Sequence, residues 1–222
     1  MSQSVLVVAP HPDDEVLGCG GTIARHADAG DRVHVVIMTK GDPDLYPDDD
    51  QAALNQDIRA AHHALGVTST THLDFPAPRL DSLPGYQLAN AIGEAISRAR
   101  PTILYLPHRG DIHADHQRVY LAGLVAARPI NGCPVRQVLC YETLSETEWA
   151  SPEGDQVFRP TVFADITPYL ETKLKAMDCY RDEVKAFPHP RSLPALKALA
   201  QLRGATVGVA AAEAFALVRQ IV

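Results

Sequence analysis

The chain opens with alternating blocks of two hydrophobic patterns. Ser4-Val-Leu-Val-Val-Ala9 and Arg32-Val-His-Val-Val-Ile-Met-Thr39 are unbroken, β-branched apolar runs, as expected of strands buried on both faces. Between them Thr22–Ala29 has helical spacing and stops at Gly30. Strand, helix and strand in so short a stretch predict a crossover between parallel strands. The alternation continues with a helix over Gln51–Leu65 ended by Gly66 and another over Tyr86–Ala99. A strand over Thr102–Leu106, a helix over His113–Ala127 stopped by Pro129, and a strand over Val135–Tyr141 follow. Past Thr143 the regularity weakens. Val162–Ile166 predicts a strand, and Pro168–Glu183, Leu193–Leu202 and Ala210–Arg219 predict helices. The expected fold is α/β, a Rossmann-like three-layer sandwich with a mostly parallel central sheet. One domain is expected over residues 1–222, less regular from 143 to 222.

Composition narrows the class. Hydrophobic residues make up 46% and charged residues 21% of the 222, so a packed globule is expected rather than a disordered chain. The net charge is -7 and the 20 Lys and Arg are scattered without a basic stripe, which argues against a nucleic-acid partner. Gly41–Asp50 is acidic and proline-bearing, the composition of a mobile surface loop. Cys19, Cys133, Cys140 and Cys179 lie far apart, with no Cys-x-x-Cys, and read as reduced thiols. The apolar run Val5–Ala9 lacks a preceding basic region and is too short for a signal peptide or a span. A cytoplasmic protein without membrane insertion is expected, and homo-oligomers are common among soluble proteins.

Two segments carry chemistry. Ala9-Pro-His-Pro-Asp-Asp-Glu15 stands at the carboxyl end of the first strand, the edge at which open parallel sheets bind ligands. Several carboxylates at the mouth of a buried strand repel one another unless a cation offsets them. His11 and Asp14 are three apart in a turn held by Pro12, so both can point at one centre. His108-Arg-Gly-Asp-Ile-His-Ala-Asp-His116 follows the Thr102–Leu106 strand at the same edge, and His113 and His116 share a helix face. A catalytic zinc site takes three N or O ligands and keeps a position for water. His11, Asp14 and His116 would supply that set, leaving Asp13 and His113 for proton chemistry. Taken singly, each of these residues is more often a solvated loop or surface residue; two clusters at one sheet edge outweigh that reading.

Val8-Ala-Pro-His-Pro-Asp-Asp-Glu-Val-Leu-Gly-Cys-Gly-Gly-Thr22 together with His113-Ala-Asp-His116 resembles the PIG-L/LmbE family of zinc-dependent N-deacetylases. Looser likeness extends through Ala64-Leu-Gly-Val67 and Ala212-Glu-Ala-Phe215. The resemblance implies His11, Asp14 and His116 as ligands of Zn2+ or another divalent metal. It implies Asp13 as general base, and His113 as the group that polarises the carbonyl or protonates the leaving amine. The implied substrate is a small N-acetylated amino sugar or sugar conjugate, and a nucleotide sugar joins the candidates if Arg191 meets a phosphate. Asp115 or Asp111 could keep the His113 imidazole charged, or serve only as helix-start residues. The family often carries Arg and Glu on the helix before Leu-Gly-Val, where this chain has Leu54 and Asp57, and proline where it has Ala114. No substrate contact is carried over from there.

Rival readings rest on weaker signals. Gly18-Cys-Gly-Gly21 does not fit the dinucleotide fingerprint, because Ile23 stands where the third small residue belongs. No Gly-x-Ser-x-Gly occurs. Hydrolysis of another amide C–N bond and a non-catalytic, metal-stabilised sugar-binding module stay open. Pro188–Ser192 reads as a rigid turn, or else Arg191 meets an anionic part of the substrate. Trp149 and Tyr141 could line a sugar pocket or pack on the domain. His26, His34, His62, His63 and His72 are assigned no role.

Overall fold

The structure, a computed structural model, describes residues 2–47 and 50–222. Asp48 and Asp49, within the acidic loop expected over Gly41–Asp50, lie outside the described residues. The strands β1 (Ser4–Ala9), β2 (Arg32–Gly41), β3 (Ser69–Ala77), β4 (Ile103–Pro107), β5 (Gln137–Tyr141), β6 (Val162–Asp165) and β7 (Ala212–Gln220) form one sheet. Their spatial order is β3-β2-β1-β4-β5-β7-β6. β1 to β5 run parallel, and β7 is antiparallel to both β5 and β6.

The unbroken apolar run of β1 has a simple cause. Val5, Val7 and Ala9 face a layer made by α1 (Asp14–Asp28), α2 (Gln51–Leu65), α5 (Leu170–Asp178) and α6 (Leu193–Val207). Leu6 and Val8 face the opposite layer, α3 (Gly85–Ala99) and α4 (Ala114–Ala126). With helices on both faces, every strand position is a core position. This is the expected three-layer, mostly parallel α/β fold. None of the described helices is long and apolar enough to cross a membrane.

Three elements differ from the sequence expectation. Ala210–Arg219 is not a helix: Ala212–Gln220 is the antiparallel strand β7. Its alanines favour a helix by intrinsic propensity, but the segment fills the slot between β5 and β6, with Ala212 to Phe215 buried. Tertiary pairing outweighs propensity there. β3 went unread because it is a polar edge strand paired only with β2, and it carries Pro76. The first helix begins at Asp14 rather than Thr22, so the glycine cluster lies inside it.

Those glycines set how closely α1 approaches its neighbours. A Cβ on Gly18 would stand 2.2 Å from Cδ2 of Tyr141, a fully buried ring whose hydroxyl donates to the Val8 carbonyl at 2.9 Å. Tyr141 is therefore a core residue and not part of a sugar pocket. Gly18→Ala is expected to destabilise the protein by about 1–3 kcal/mol through overpacking, read as a lower midpoint in urea unfolding. At the same level the Gly21 and Thr22 amides donate to the Glu213 carboxylate at 2.9 and 2.6 Å. Lys173 pairs with Glu213 and donates to the Leu17 carbonyl, so a buried ion pair from β7 and α5 fastens the middle of α1.

Strand order reverses at β1. The chain leaves toward β2 and β3, then returns to β4 on the other side. Crossovers diverge at such a point and leave a crevice at the carboxyl ends of the two strands. The segments after β1 and β4 both open into it.

Candidate functional site

Pro10 to Asp13 form the turn from β1 into α1, which opens at Asp14, and His108 to His113 the turn from β4 into α4, whose first turn carries Asp115 and His116. The two turns meet. His11 Nδ1 and His116 Nε2 each lie 3.2 Å from Oδ2 of Asp14. His11, Asp14 and His116 offer ligand atoms all within 4.8 Å of one another. The predicted triad is thus brought together, two residues from one segment and one from the other.

Each imidazole is fixed by a carboxylate on its far nitrogen. His11 Nε2 is 3.0 Å from Asp115 Oδ2, and Asp115 is itself held by the Leu80 amide at 2.9 Å. His116 Nδ1 is 2.9 Å from Asp111 Oδ2, whose other oxygen accepts from Thr147 at 2.6 Å. The expectation that Asp115 or Asp111 keeps His113 charged is corrected by these contacts: both carboxylates turn to the other two histidines. Carboxylates on the outer nitrogens of ligating histidines select the tautomer that presents the inner nitrogen.

The remaining valence points to a cation. Asp14 Oδ1 is buried and has no hydrogen-bond partner, a costly state for a carboxylate oxygen. A His, Asp and His set with an orphaned oxygen fits a divalent transition cation. His11, His113 and Asp115 form a second compact set, but both oxygens of Asp115 already have partners.

Charge follows geometry. Burial opposes ionisation of Asp14, yet His116 and His11 override it and hold the carboxyl well below its ordinary range. Burial alone would lower His116, but Asp14 and Asp111 raise it to about 10. His113 is different: burial, reinforced by His11 and His116, pushes it down to about 4. Its Nδ1 accepts the Asp115 amide at 3.1 Å as the cap of α4, so the neutral ring carries its proton on Nε2.

Asp13 sits beside the triad, buried, with φ 101 and ψ -29, a conformation that L-residues rarely adopt. Burial pushes its carboxyl well above the ordinary value against the pull of Arg191. Arg191 Nη1 is 3.3 Å from Asp13 Oδ2. The Asp13 amide donates to Glu15 Oε2 at 3.2 Å, and Glu15 Oε1 receives the Tyr180 hydroxyl and His62 Nε2. His62 in turn meets Thr70 at 2.6 Å.

Sequence reasoning missed this support. Glu15 was legible as the third acid of the run, but its partners come from α2 and from the turn after α5. Trp149 is 56% exposed and meets His189 edge-on, with ring centroids 6.4 Å apart, at the turn that carries Arg191.

The chain is 33% identical over 181 residues to uncharacterized deacetylase YaiS of Escherichia coli strain K12, covering 79% of this chain and 89% of that one. It is 25% identical over 194 residues to diacetylchitobiose deacetylase of Thermococcus kodakarensis, covering 82% and 70%. The fold superposes on the conserved protein TT1542 from Thermus thermophilus with a TM-score of 0.81 at 25% identity, covering 99% and 96%. The PIG-L model, described as GlcNAc-PI de-N-acetylase, matches residues 6–127, a span that contains both turns and the whole His, Asp and His cluster. By that match and by the site it encloses, the chain belongs to the PIG-L family.

Proposed function

We propose that this protein is a metal-dependent hydrolase that removes the acetyl group from the nitrogen of an amino sugar or sugar conjugate. The observation that carries the reading is a buried Asp13 carboxylate beside a His11, Asp14 and His116 set whose Asp14 oxygen lacks a partner. The named activities of the deacetylase relatives support the substrate class. Residues 1–222 act as one domain, with the part after Thr143 shaping the pocket.

His11, Asp14 and His116 would hold the cation, zinc in this reading. When bound, such an ion supplies Lewis acidity toward an amide carbonyl and makes water acidic enough to ionise near neutrality. Asp13 accepts the proton of the attacking water on its carboxylate. The Nε2–H of neutral His113 donates to the acetyl oxygen as negative charge develops there. Asp13, now protonated, delivers its proton to the departing nitrogen, so the free amine leaves with acetic acid, which ionises to acetate by giving its proton to the amine or to solvent. A ring whose pKa lies near 4 suits the hydrogen-bond donor better than the proton reservoir.

Arg191 does not favour a nucleotide-linked substrate, because its nitrogens are turned to groups of the protein itself. The test is acetate release from N-acetylglucosamine, its oligomers and its nucleotide conjugates, before and after chelation. Acetate that disappears with chelator and returns with added zinc is expected. A protein that binds these sugars but releases no acetate is the non-catalytic module instead. Turnover confined to amides without a sugar would shift the substrate class.

A further inference from the structure

The guanidinium of Arg191 is enclosed. Nε donates to Ser145 Oγ at 2.9 Å; Nη1 reaches Glu183 Oε2 at 2.8 Å and Asp13 Oδ2 at 3.3 Å; Nη2 lies 3.6 Å from Glu146 Oε1. The side chain is 21% exposed, and Ser145, Glu146 and Glu183 all belong to the irregular stretches of the C-terminal part. One positive charge thus faces three carboxylates. An anionic substrate group arriving here would have to displace internal partners and would face the carboxyl groups of Asp13, Glu146 and Glu183.

From this we propose that Arg191 is a positioning residue for Asp13 and not a substrate contact. By engaging Oδ2 it fixes the rotation of the Asp13 carboxyl and leaves Oδ1 to face the reacting water. Glu183, Glu146 and Ser145 hold the guanidinium in turn, so the segments on either side of α5 set the geometry of a residue at the end of β1. Two independent holds then act on Asp13: Glu15 on its amide and Arg191 on its side chain. The inference rests on the reading of Asp13 as the base, and its test separates the two.

Arg191→Ala should lower kcat roughly 10²-fold, the scale of a misplacement of about 1 Å, with KM and metal content nearly unchanged. Arg191→Lys should recover part of that loss, and added guanidinium should restore Arg191→Ala while leaving Asp13→Asn inactive. If Arg191→Ala unfolds early, Arg191→Lys and Arg191→Gln carry the comparison. Independently of turnover, crystal structures of the wild type and Arg191→Gln should differ in the rotation of the Asp13 carboxyl. An unmoved carboxyl overturns the proposal. So does a rise in KM for anionic sugar conjugates alone with kcat retained. Should the wild type itself release no acetate, the functional reading fails and the crystallographic comparison still decides the role of Arg191.

Discussion

Asp13→Asn is expected to lower turnover by roughly 10³-fold while metal content and melting temperature stay close to wild type. Loss of a positioned general base costs about 10²–10⁴-fold, and the amide of Asn cannot take up a proton at working pH. Metal should persist because Asp13 is outside the His11, Asp14 and His116 set. The companion variant Asp13→Gly separates chemistry from folding. The residue sits at φ 101, where a side chain stores about 1–3 kcal/mol of backbone strain. Glycine adopts that conformation freely. Asp13→Gly should therefore be inactive yet melt no lower than wild type. An active Asp13→Asn, measured by initial rates of acetate release, would remove the base assignment. A strongly destabilised Asp13→Gly would remove the strain argument alone.

His116→Ala is expected to lose the metal and much of the fold's stability together. The ring lies between Asp14 and Asp111, each fully buried. Removing it leaves two carboxylates without their cation, a change that costs about 3–5 kcal/mol. Elemental analysis should find metal near zero, where Asp111→Asn, which disturbs only the outer nitrogen, loses about 10–100-fold in affinity. The same ring sets a pH dependence. With His116 raised to about 10, its contribution to the stability of chelator-treated protein is complete below the unfolded value near 6.5. That contribution is lost as pH rises through about 10. Binding of a cation must expel the proton, so the gain in melting temperature on adding metal should widen from pH 6.5 upward. A gain that shrinks over this range would show that His116 is not a ligand.

The parallel half of the fold was legible because its strands are covered on both faces, which writes itself as continuous apolar sequence. β3 escaped because an edge strand need not be apolar, and β7 because its alanines carry helix propensity while its conformation comes from β5 and β6. The same division runs through the site. His11, Asp14, His113 and His116 stand in two short segments whose spacing and shared sheet edge aim them at one crevice, and the roles expected of Asp13 and His113 come with the family resemblance. What surrounds them could not. His62, Tyr180 and Glu183 carry no signal in their own segments, and only the tertiary path brings them to Glu15 and Arg191. Arg191, whose segment reads either as a rigid turn or as a contact for an anion, is engaged by side chains at separations of up to 178 positions.

The fastening of α1 by Glu213 sets an order on assembly. The helix that presents Asp14 emerges from the ribosome early, but the carboxylate that receives its Gly21 and Thr22 amides comes 192 and 191 positions later. Domains tend to organise from the amino end as they are made. Here a nascent chain halted before Glu213 would hold the turns that carry His11, Asp14 and His116 and still lack the anchor beneath them. The helix that presents Asp14 is fastened at its middle only once the antiparallel strand has been made.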